Sequence, residues 1–343
     1  MENTQKISVA VIGVGYWGPN LVRNLLDIES VGKVFVFDLN PSRSESLKKK
    51  FPNLEVSYTF NEILSNPEIK ATVIATPVNK HFEIAKQCLL AGKNVLVEKP
   101  LAQNSAECME LVRLAEEKNV RLMAGHLLEY KPAISQIRDM VKRGDIGNML
   151  YISASRLNLG LIRSDVSVLW DSAVHDIYTI NFVLGKMPKR VSAVSAKYPA
   201  YTGVNLDTVA FLVLDYGDNV LAHIHINWLS PYKYRKMTIS GTKKMILYDD
   251  VDLVEPIRIY DVGVEPQQEN LGAPDLTYRV GDTIIPKVSN KEALRVECEH
   301  FIDCAVNNKK PQSDGMEGLQ AVKIIEAAEE SIRNESKFIE IKY

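Results

Sequence analysis

The stretch Gly13-Val14-Gly15-Tyr16-Trp17-Gly18 is the first place in the chain where residue type and spacing suggest chemistry. It follows the apolar run from Ile7 to Ile12 and leads into a segment with helical spacing, Pro19 to Leu26. In a strand–turn–helix setting the first glycine permits a tight turn. The second lets the backbone approach a pyrophosphate, and the third allows close helix packing. The helix N-terminus adds free N–H groups and the positive end of its dipole. Asp38, at the end of the next apolar run, is placed to accept hydrogen bonds from adenosine ribose hydroxyls. Its charge would repel a 2′-phosphate, which favours NAD; Arg43, five residues on, keeps NADP open. Without these flanking elements the same glycines would be an ordinary turn.

Other reactive residue types are less tightly patterned. His223 and His225 alternate with Ala222, Ile224 and Ile226, so both face one side of a strand. No third ligand accompanies them at a metal-binding spacing, since Cys298-Glu299-His300 falls in a distant helix. No metal is therefore expected, and the pair reads as a polar strip on a sheet face used for subunit contact. Arg156, Asn158 and Arg163 could grip a diphosphate or carboxylate through bidentate bonds, or form ordinary salt bridges at a strand end. Both readings stand. Cys88, Cys108, Cys298 and Cys304 form no CxxC pair and suit a reducing compartment, hence a cytoplasmic protein.

The elements that must hold these residues follow from the rest of the 343-residue chain. Its 41 basic and 43 acidic side chains leave a formal charge of −2, which removes the simplest argument for nucleic-acid binding. No apolar stretch reaches membrane-spanning length, and no signal peptide is expected at the polar N-terminus. Short apolar strands at Val34–Asp38, Ala71–Ala75, Asn94–Val97 and Arg121–Gly125 alternate with helices at Ser42–Lys50, His81–Leu90 and Ser105–Glu117. That rhythm specifies a parallel sheet covered on both faces. Beyond a helix at Ala133–Arg143 the strands lengthen: Met149–Asn158, Arg190–Lys197, Asp207–Tyr216, Asn219–Leu229, Tyr234–Ser240 and Met245–Tyr248. The turn Tyr216-Gly217-Asp218-Asn219 joins two of them as a hairpin, which implies a mostly antiparallel second sheet. Helices at Glu292–Asn307 and Glu317–Arg333 close the chain. The fold class is α/β, with a Rossmann domain over residues 1–127 and an α+β domain over 128–343.

Glu98-Lys99-Pro100, just after a late strand of the first domain, resembles the hallmark of the glucose–fructose oxidoreductase, inositol dehydrogenase and rhizopine-catabolism (Gfo/Idh/MocA) family. The segment Ala75-Thr76-Pro77-Val78-Asn79-Lys80-His81 is similar to the family's loop beside the nicotinamide ribose. Trp170-Asp171-Ser172-Ala173-Val174-His175-Asp176 resembles its catalytic Asp-x-x-x-His segment, and the last two helices resemble its closing helices. The resemblance implies an NAD(P)-dependent oxidoreductase acting on a sugar or cyclitol hydroxyl. It also implies an open-faced second sheet through which copies form a homodimer or homotetramer. Gly15–Leu21 and the stretch from Arg156 to Asp171 look like members that act on sugar nucleotides in surface-polysaccharide biosynthesis, which suggests oxidation at C3. Glu129 departs from the pattern, standing where an arginine is common.

On this reading the cofactor contacts are Gly13, Gly15, Tyr16, Trp17, Gly18, Asp38, Thr76, Pro77, Asn79, His81, Glu98 and Lys99. Tyr16 and Trp17 would line the cleft, although bulky aromatics at a domain junction also serve as packing. Lys99 would donate to the substrate oxygen and stabilise its developing charge. His175, whose imidazole titrates near neutrality, would take the proton. Asp171, four residues earlier, shares its face if the segment is helical and would orient the ring. Pro100 is expected to hold a special backbone geometry such as a cis bond. A cyclitol or free-sugar dehydrogenase, a ketosugar reductase and a non-catalytic dinucleotide-sensing regulator are the competing readings.

Overall fold

The computed structural model describes residues 6–160, 162–266 and 276–343. In chain order the elements of the first half are β1 (Ile7–Ile12), α1 (Gly18–Leu26), β2 (Val31–Phe37), α2 (Pro41–Lys50), β3 (Leu54–Val56), α3 (Phe60–Ser65), β4 (Ile69–Ile74), α4 (His81–Leu90), β5 (Asn94–Glu98), α5 (Ser105–Glu117) and β6 (Leu122–Gly125). Next come α6 (Pro132–Arg143), β7 (Met149–Leu159), α7 (Val174–Leu184), β8 (Arg190–Lys197), α8 (Pro199–Thr202), β9 (Asp207–Asp215), β10 (Leu221–Asn227), β11 (Leu229–Gly241), β12 (Met245–Asp249), β13 (Ile257–Pro266) and β14 (Leu276–Ile284). The chain closes with α9 (Ala293–Asn307), α10 (Gly315–Arg333) and β15 (Ile339–Glu340).

Two compact units divide the chain: Met1–Lys131 with Lys291–Lys323, and Pro132–Asn290 with Ile324–Tyr343. The sequence puts the boundary after residue 127, and the first unit's first segment runs to Lys131. Residues 291–323 differ from expectation, because they belong to the first unit. The reason is packing. Leu294, Cys298, Phe301 and Ile302 of α9 are buried in the same apolar cluster as Leu21, Val22 and Leu25 of α1. Arg23 and Glu292 add a salt bridge at 2.6 Å.

The first unit holds a six-stranded sheet in the order β3-β2-β1-β4-β5-β6, parallel throughout. β1 is buried along its whole length, as a central parallel strand covered on both faces must be. The strand order reverses between β1 and β4, and a ligand cleft forms at the carboxyl ends of such a switch point.

The second unit holds a nine-stranded sheet, β14-β13-β12-β11-β7-β10-β9-β8-β15, antiparallel except for the β7–β10 pair. Strict alternation makes it one-sided. Along β10, Ala222, Ile224 and Ile226 are buried while His223 and His225 face the other way. The hairpin at residues 216–219 is present, with positive φ at Gly217, Asp218 and Asn219. Among the described residues no helix is long and apolar enough to cross a membrane.

Candidate active site

In the first unit the glycine loop has the geometry its sequence implies. Gly13 adopts φ 90°, and a Cβ there would lie 2.7 Å from the Ala75 carbonyl oxygen. At Gly18 a Cβ would run into the Gly13 carbonyl. Gly15 is different: the nearest atom to an added Cβ is Arg43 Nη1, 4.0 Å away. Space is thus kept over the loop where a ligand's phosphates would lie. α1 starts at Gly18 with no side-chain cap; Pro19 carries no N–H and the Asn20 amide donates to the Trp17 carbonyl at 2.9 Å, so what the helix start offers an anion is the positive end of its dipole.

Asp38 is pinned beside this loop. Its Oδ2 accepts from the Val14 amide and its Oδ1 from the Asn40 amide, both at 2.9 Å. A carboxylate has further lone pairs for ribose hydroxyls. Arg43 Nη1 stands 3.6 Å from Asp38. It helps line a cleft of about 410 Å³ with Val14, Pro19, Ser42, Ser46 and Lys50.

The loop after β4 holds Thr76, whose Oγ1 is buried with no partner among the described residues. An orphaned hydroxyl at this end of the sheet suits a ligand contact. Pro77 and Asn79 are exposed beside it, and Tyr16 is 95% exposed. His81 is spent otherwise. It is buried, with Nδ1 2.8 Å from the Pro100 carbonyl and Nε2 2.9 Å from that of Thr76, so it fastens two loops together. The Lys99–Pro100 bond is cis, as the sequence suggested.

Trp17 reaches from the glycine loop to Glu98, its Nε1 donating to Oε1 at 2.6 Å. Burial pushes the Glu98 carboxyl up to about 7, against the opposing pull of Lys99 and the indole. β6 makes room for it at Gly125, where a Cβ would sit 3.2 Å from Glu98 Oε2. Behind it lies Glu297 of α9, fully buried, with neither carboxyl oxygen partnered among the described residues. Burial, then the nearby Glu98 and Glu129, raise its pKa well above the ordinary carboxylate value.

Glu129, the departure from the family pattern, is also buried, with Oε1 3.1 Å from His126 Nδ1. Donor atoms of His126, Glu129 and Glu317 lie within 4.8 Å of one another. Burial lowers His126 to about 4 and raises Glu317 to about 8, which favours a neutral ring and a protonated acid. Long-range pairing of this kind leaves no local signature in the sequence.

In the second unit, a π-helical turn at Leu169–Ala173 leads into α7. Asp171 lies in this widened turn, four residues before His175. Asp171 accepts from Arg163 Nη1 at 3.4 Å and from Ser172 Oγ at 3.3 Å. His175 Nδ1 is 2.8 Å from the Tyr178 hydroxyl, and the rings meet edge-on at 5.7 Å. Tyr178 was not anticipated, although its i, i+3 spacing from His175 was readable.

Arg156, one of the candidate anion-binding residues, is committed elsewhere. Its Nε and Nη2 donate to the two oxygens of Asp176, each at 2.9 Å, with both residues buried. Arg163 similarly makes a forked pair with Asp165 at 2.6 and 2.9 Å. Asn158 is half-buried, two residues after Arg156 on β7. On the opposite sheet face His223 and His225 flank Phe211, with His225 stacked on it at 4.3 Å.

A glycine cradle at the switch point of a parallel sheet, with a pinned acid at the next strand end, is the arrangement of a dinucleotide-binding fold. The sequence patterns agree. Residues 7–126 match the oxidoreductase family with an NAD-binding Rossmann fold, and residues 134–247 match the GFO/IDH/MocA C-terminal domain. The chain belongs to the GFO/IDH/MocA oxidoreductase family.

Two relatives align along nearly its whole length. The scyllo-inositol 2-dehydrogenase (NADP(+)) IolW of Bacillus subtilis is 26% identical, over 95% of this chain and 93% of its own. UDP-N-acetylglucosamine 3-dehydrogenase of Acidithiobacillus ferrooxidans is 26% identical, over 91% of this chain and 93% of its own. The solved structure of GnnA, the 3-dehydrogenase of that organism, superposes with a TM-score of 0.79 at 22% identity, covering 96% and 98% of the two chains.

Proposed function

We propose that the protein is an NAD-dependent dehydrogenase that oxidises a secondary hydroxyl of a nucleotide-linked sugar, at C3. The observation that carries the catalytic part is the His175–Tyr178 bond at 2.8 Å. It fixes the orientation of the imidazole, which in its neutral form can take up a proton. Lys99 donates to the oxygen of the reacting hydroxyl and offsets the negative charge that grows there. His175 removes the hydroxyl proton while the carbon–oxygen double bond forms and the carbon releases its hydride. When bound, nicotinamide supplies the carbon that accepts this hydride.

The cradle at Gly15, the uncapped start of α1 and the unpartnered Thr76 hydroxyl fit that cofactor. Asp38 supports NAD over NADP. Similarity to a UDP-N-acetylglucosamine 3-dehydrogenase supports the nucleotide sugar and the carbon. Similarity to a scyllo-inositol dehydrogenase supports a cyclitol as the second reading. The exposed face of the second sheet, with Tyr151, Val194, Phe211 and Leu221, is where copies pair. The four cysteines are buried and form no disulfide, in keeping with the cytoplasm.

The test is reduction of NAD by UDP-N-acetylglucosamine, free sugars and inositols, followed by absorbance. Lys99→Ala and His175→Ala should each cut turnover by roughly 10²–10⁴-fold while NAD affinity stays within a few-fold. Near-normal turnover in both variants overturns the reading.

A further inference from the structure

Arg235 is a charged group that the mechanism above does not use and that the sequence pattern did not single out. It lies on β11 directly opposite Arg156 of β7. Met237 and Ile239, which share its face of the strand, are buried. It is thus on the side of the sheet where Arg156 grips Asp176 at the start of α7. Asp171 and Asp176 act on its charge, which puts it in the neighbourhood of the segment bearing His175.

Its partners are incomplete. Nη1 stands 3.7 Å from Asp250 Oδ2, an ion pair beyond hydrogen-bond range, while the Tyr248 hydroxyl donates to the other oxygen of that carboxylate at 2.6 Å. The Nε atom is buried with no partner among the described residues. The side chain as a whole remains 33% exposed. Burial and the like charge of Arg156 both work against the charged form of this guanidinium; burial opposes Arg156 as well, but there the paired Asp176 outweighs it. A half-desolvated guanidinium held beside its own kind, with donors unspent, is costly unless something else completes it.

The surrounding charge tells what that partner is. Three guanidinium groups (Arg156, Arg163, Arg235) meet four carboxylates (Asp165, Asp171, Asp176, Asp250) in these ion pairs. Around Arg235 the groups that act on it are Arg156 and three carboxylates, Asp171, Asp176 and Asp250, so an incoming carboxylate would gain less there than at an isolated guanidinium. A neutral oxygen meets no such opposition.

We propose that Arg235 is a substrate-binding residue whose open guanidinium edge donates to hydroxyl or carbonyl oxygens of an uncharged sugar ring, and that the site discriminates against a sugar carboxylate there. This rests on the proposed sugar dehydrogenase reading and specifies its substrate class: a neutral hexose or N-acetylhexosamine rather than a uronic acid.

The experiment is calorimetric titration of the NADH-loaded protein with UDP-N-acetylglucosamine, UDP-glucose and myo-inositol, set against UDP-glucuronate and UDP-N-acetylglucosaminuronate. At least one uncharged compound should bind, and the carboxylates should bind tenfold or more weakly. Arg235→Gln should lose roughly ten- to hundredfold in affinity for the uncharged ligand, with part restored in Arg235→Lys, while NADH affinity and thermal midpoint hold. In any turnover that follows, KM should rise more than kcat falls. Unchanged affinity in Arg235→Gln, tighter binding of the uronates, or binding of none of the sugars overturns the proposal. A wild-type protein that binds an uncharged sugar through Arg235 but transfers no hydride keeps this assignment and removes the dehydrogenase reading instead.

Discussion

Replacing Asp176 by alanine separates two roles for Arg156. In the structure Arg156 and Asp176 make a two-pronged ion pair, both bonds 2.9 Å, with side chains only 8% and 6% exposed. The next carboxylate, Asp250, stands 3.9 Å from Arg156 and cannot take over both donors. Asp176→Ala therefore leaves a buried guanidinium largely uncompensated, at a cost of about 3–5 kcal/mol. Loss of an acid from the first turn of α7 adds about 0.3–1 kcal/mol. For a unit of this size the thermal midpoint should drop by roughly 6–20 °C. The double variant Arg156→Met, Asp176→Leu removes both charges and should recover most of that loss. Urea and thermal denaturation of the three proteins, followed by circular dichroism, give the comparison. If Asp176→Ala costs less than about 1 kcal/mol, the pair is not what anchors α7 to β7. An Arg156→Met variant that is stable and impaired only in substrate binding would likewise restore Arg156 to the substrate site.

Gly15→Ala should keep the wild-type thermal midpoint yet weaken NAD roughly tenfold or more by fluorescence titration, because its Cβ meets only open space kept for the ligand. Gly18→Ala should instead lose about 1–3 kcal/mol of stability, since its Cβ collides with backbone. Similar effects from both would contradict the cradle geometry. Asp38→Ala should weaken NAD roughly ten- to hundredfold while changing NADP less, and an unaltered ratio of affinities would assign the choice to another residue. Glu317 has a folded pKa near 8, above its ordinary 4.5, so the native state binds its proton more tightly than the unfolded chain. Stability from this group is present in acid and is lost as pH rises from about 4.5 to 8. Glu317→Gln should accordingly gain about 1–3 kcal/mol relative to wild type at pH 8 and little at pH 5. Parallel pH–midpoint curves for the two proteins would refute the protonated carboxyl.

Much of the scaffold was legible because its signals are local. The helix over residues 81–90 and the helix over 105–117 match their expected limits, the former closed by Gly92 at φ 70°. The glycine loop and the hairpin at 216–219 were readable for the same reason: each needs a positive φ that few residues supply. What escaped the sequence was pairing at a distance. An amphipathic pattern tells that one face of α9 is buried but not in which unit. Arg156 and Asp176 stand 20 residues apart on different elements, and nothing local distinguishes a committed arginine from an open one. β13 and β14 were missed because β14 is exposed almost throughout and lacks the alternation of a half-buried strand. The contacts of His81 were also hidden, since a histidine at the start of α4 in a cofactor segment reads as a ligand contact until both ring nitrogens are found beside backbone carbonyls.

The most direct test of the central claim follows the hydride itself. NAD is incubated with protein and UDP-N-acetylglucosamine carrying deuterium at C3 of the sugar, and the recovered dinucleotide is weighed by mass spectrometry. The account predicts NADH one mass unit heavier than that formed from unlabelled sugar, with neither Lys99→Ala nor His175→Ala producing it at a comparable rate. Light NADH from the labelled sugar would contradict oxidation at C3, and no NADH from any sugar or cyclitol would contradict the dehydrogenase itself.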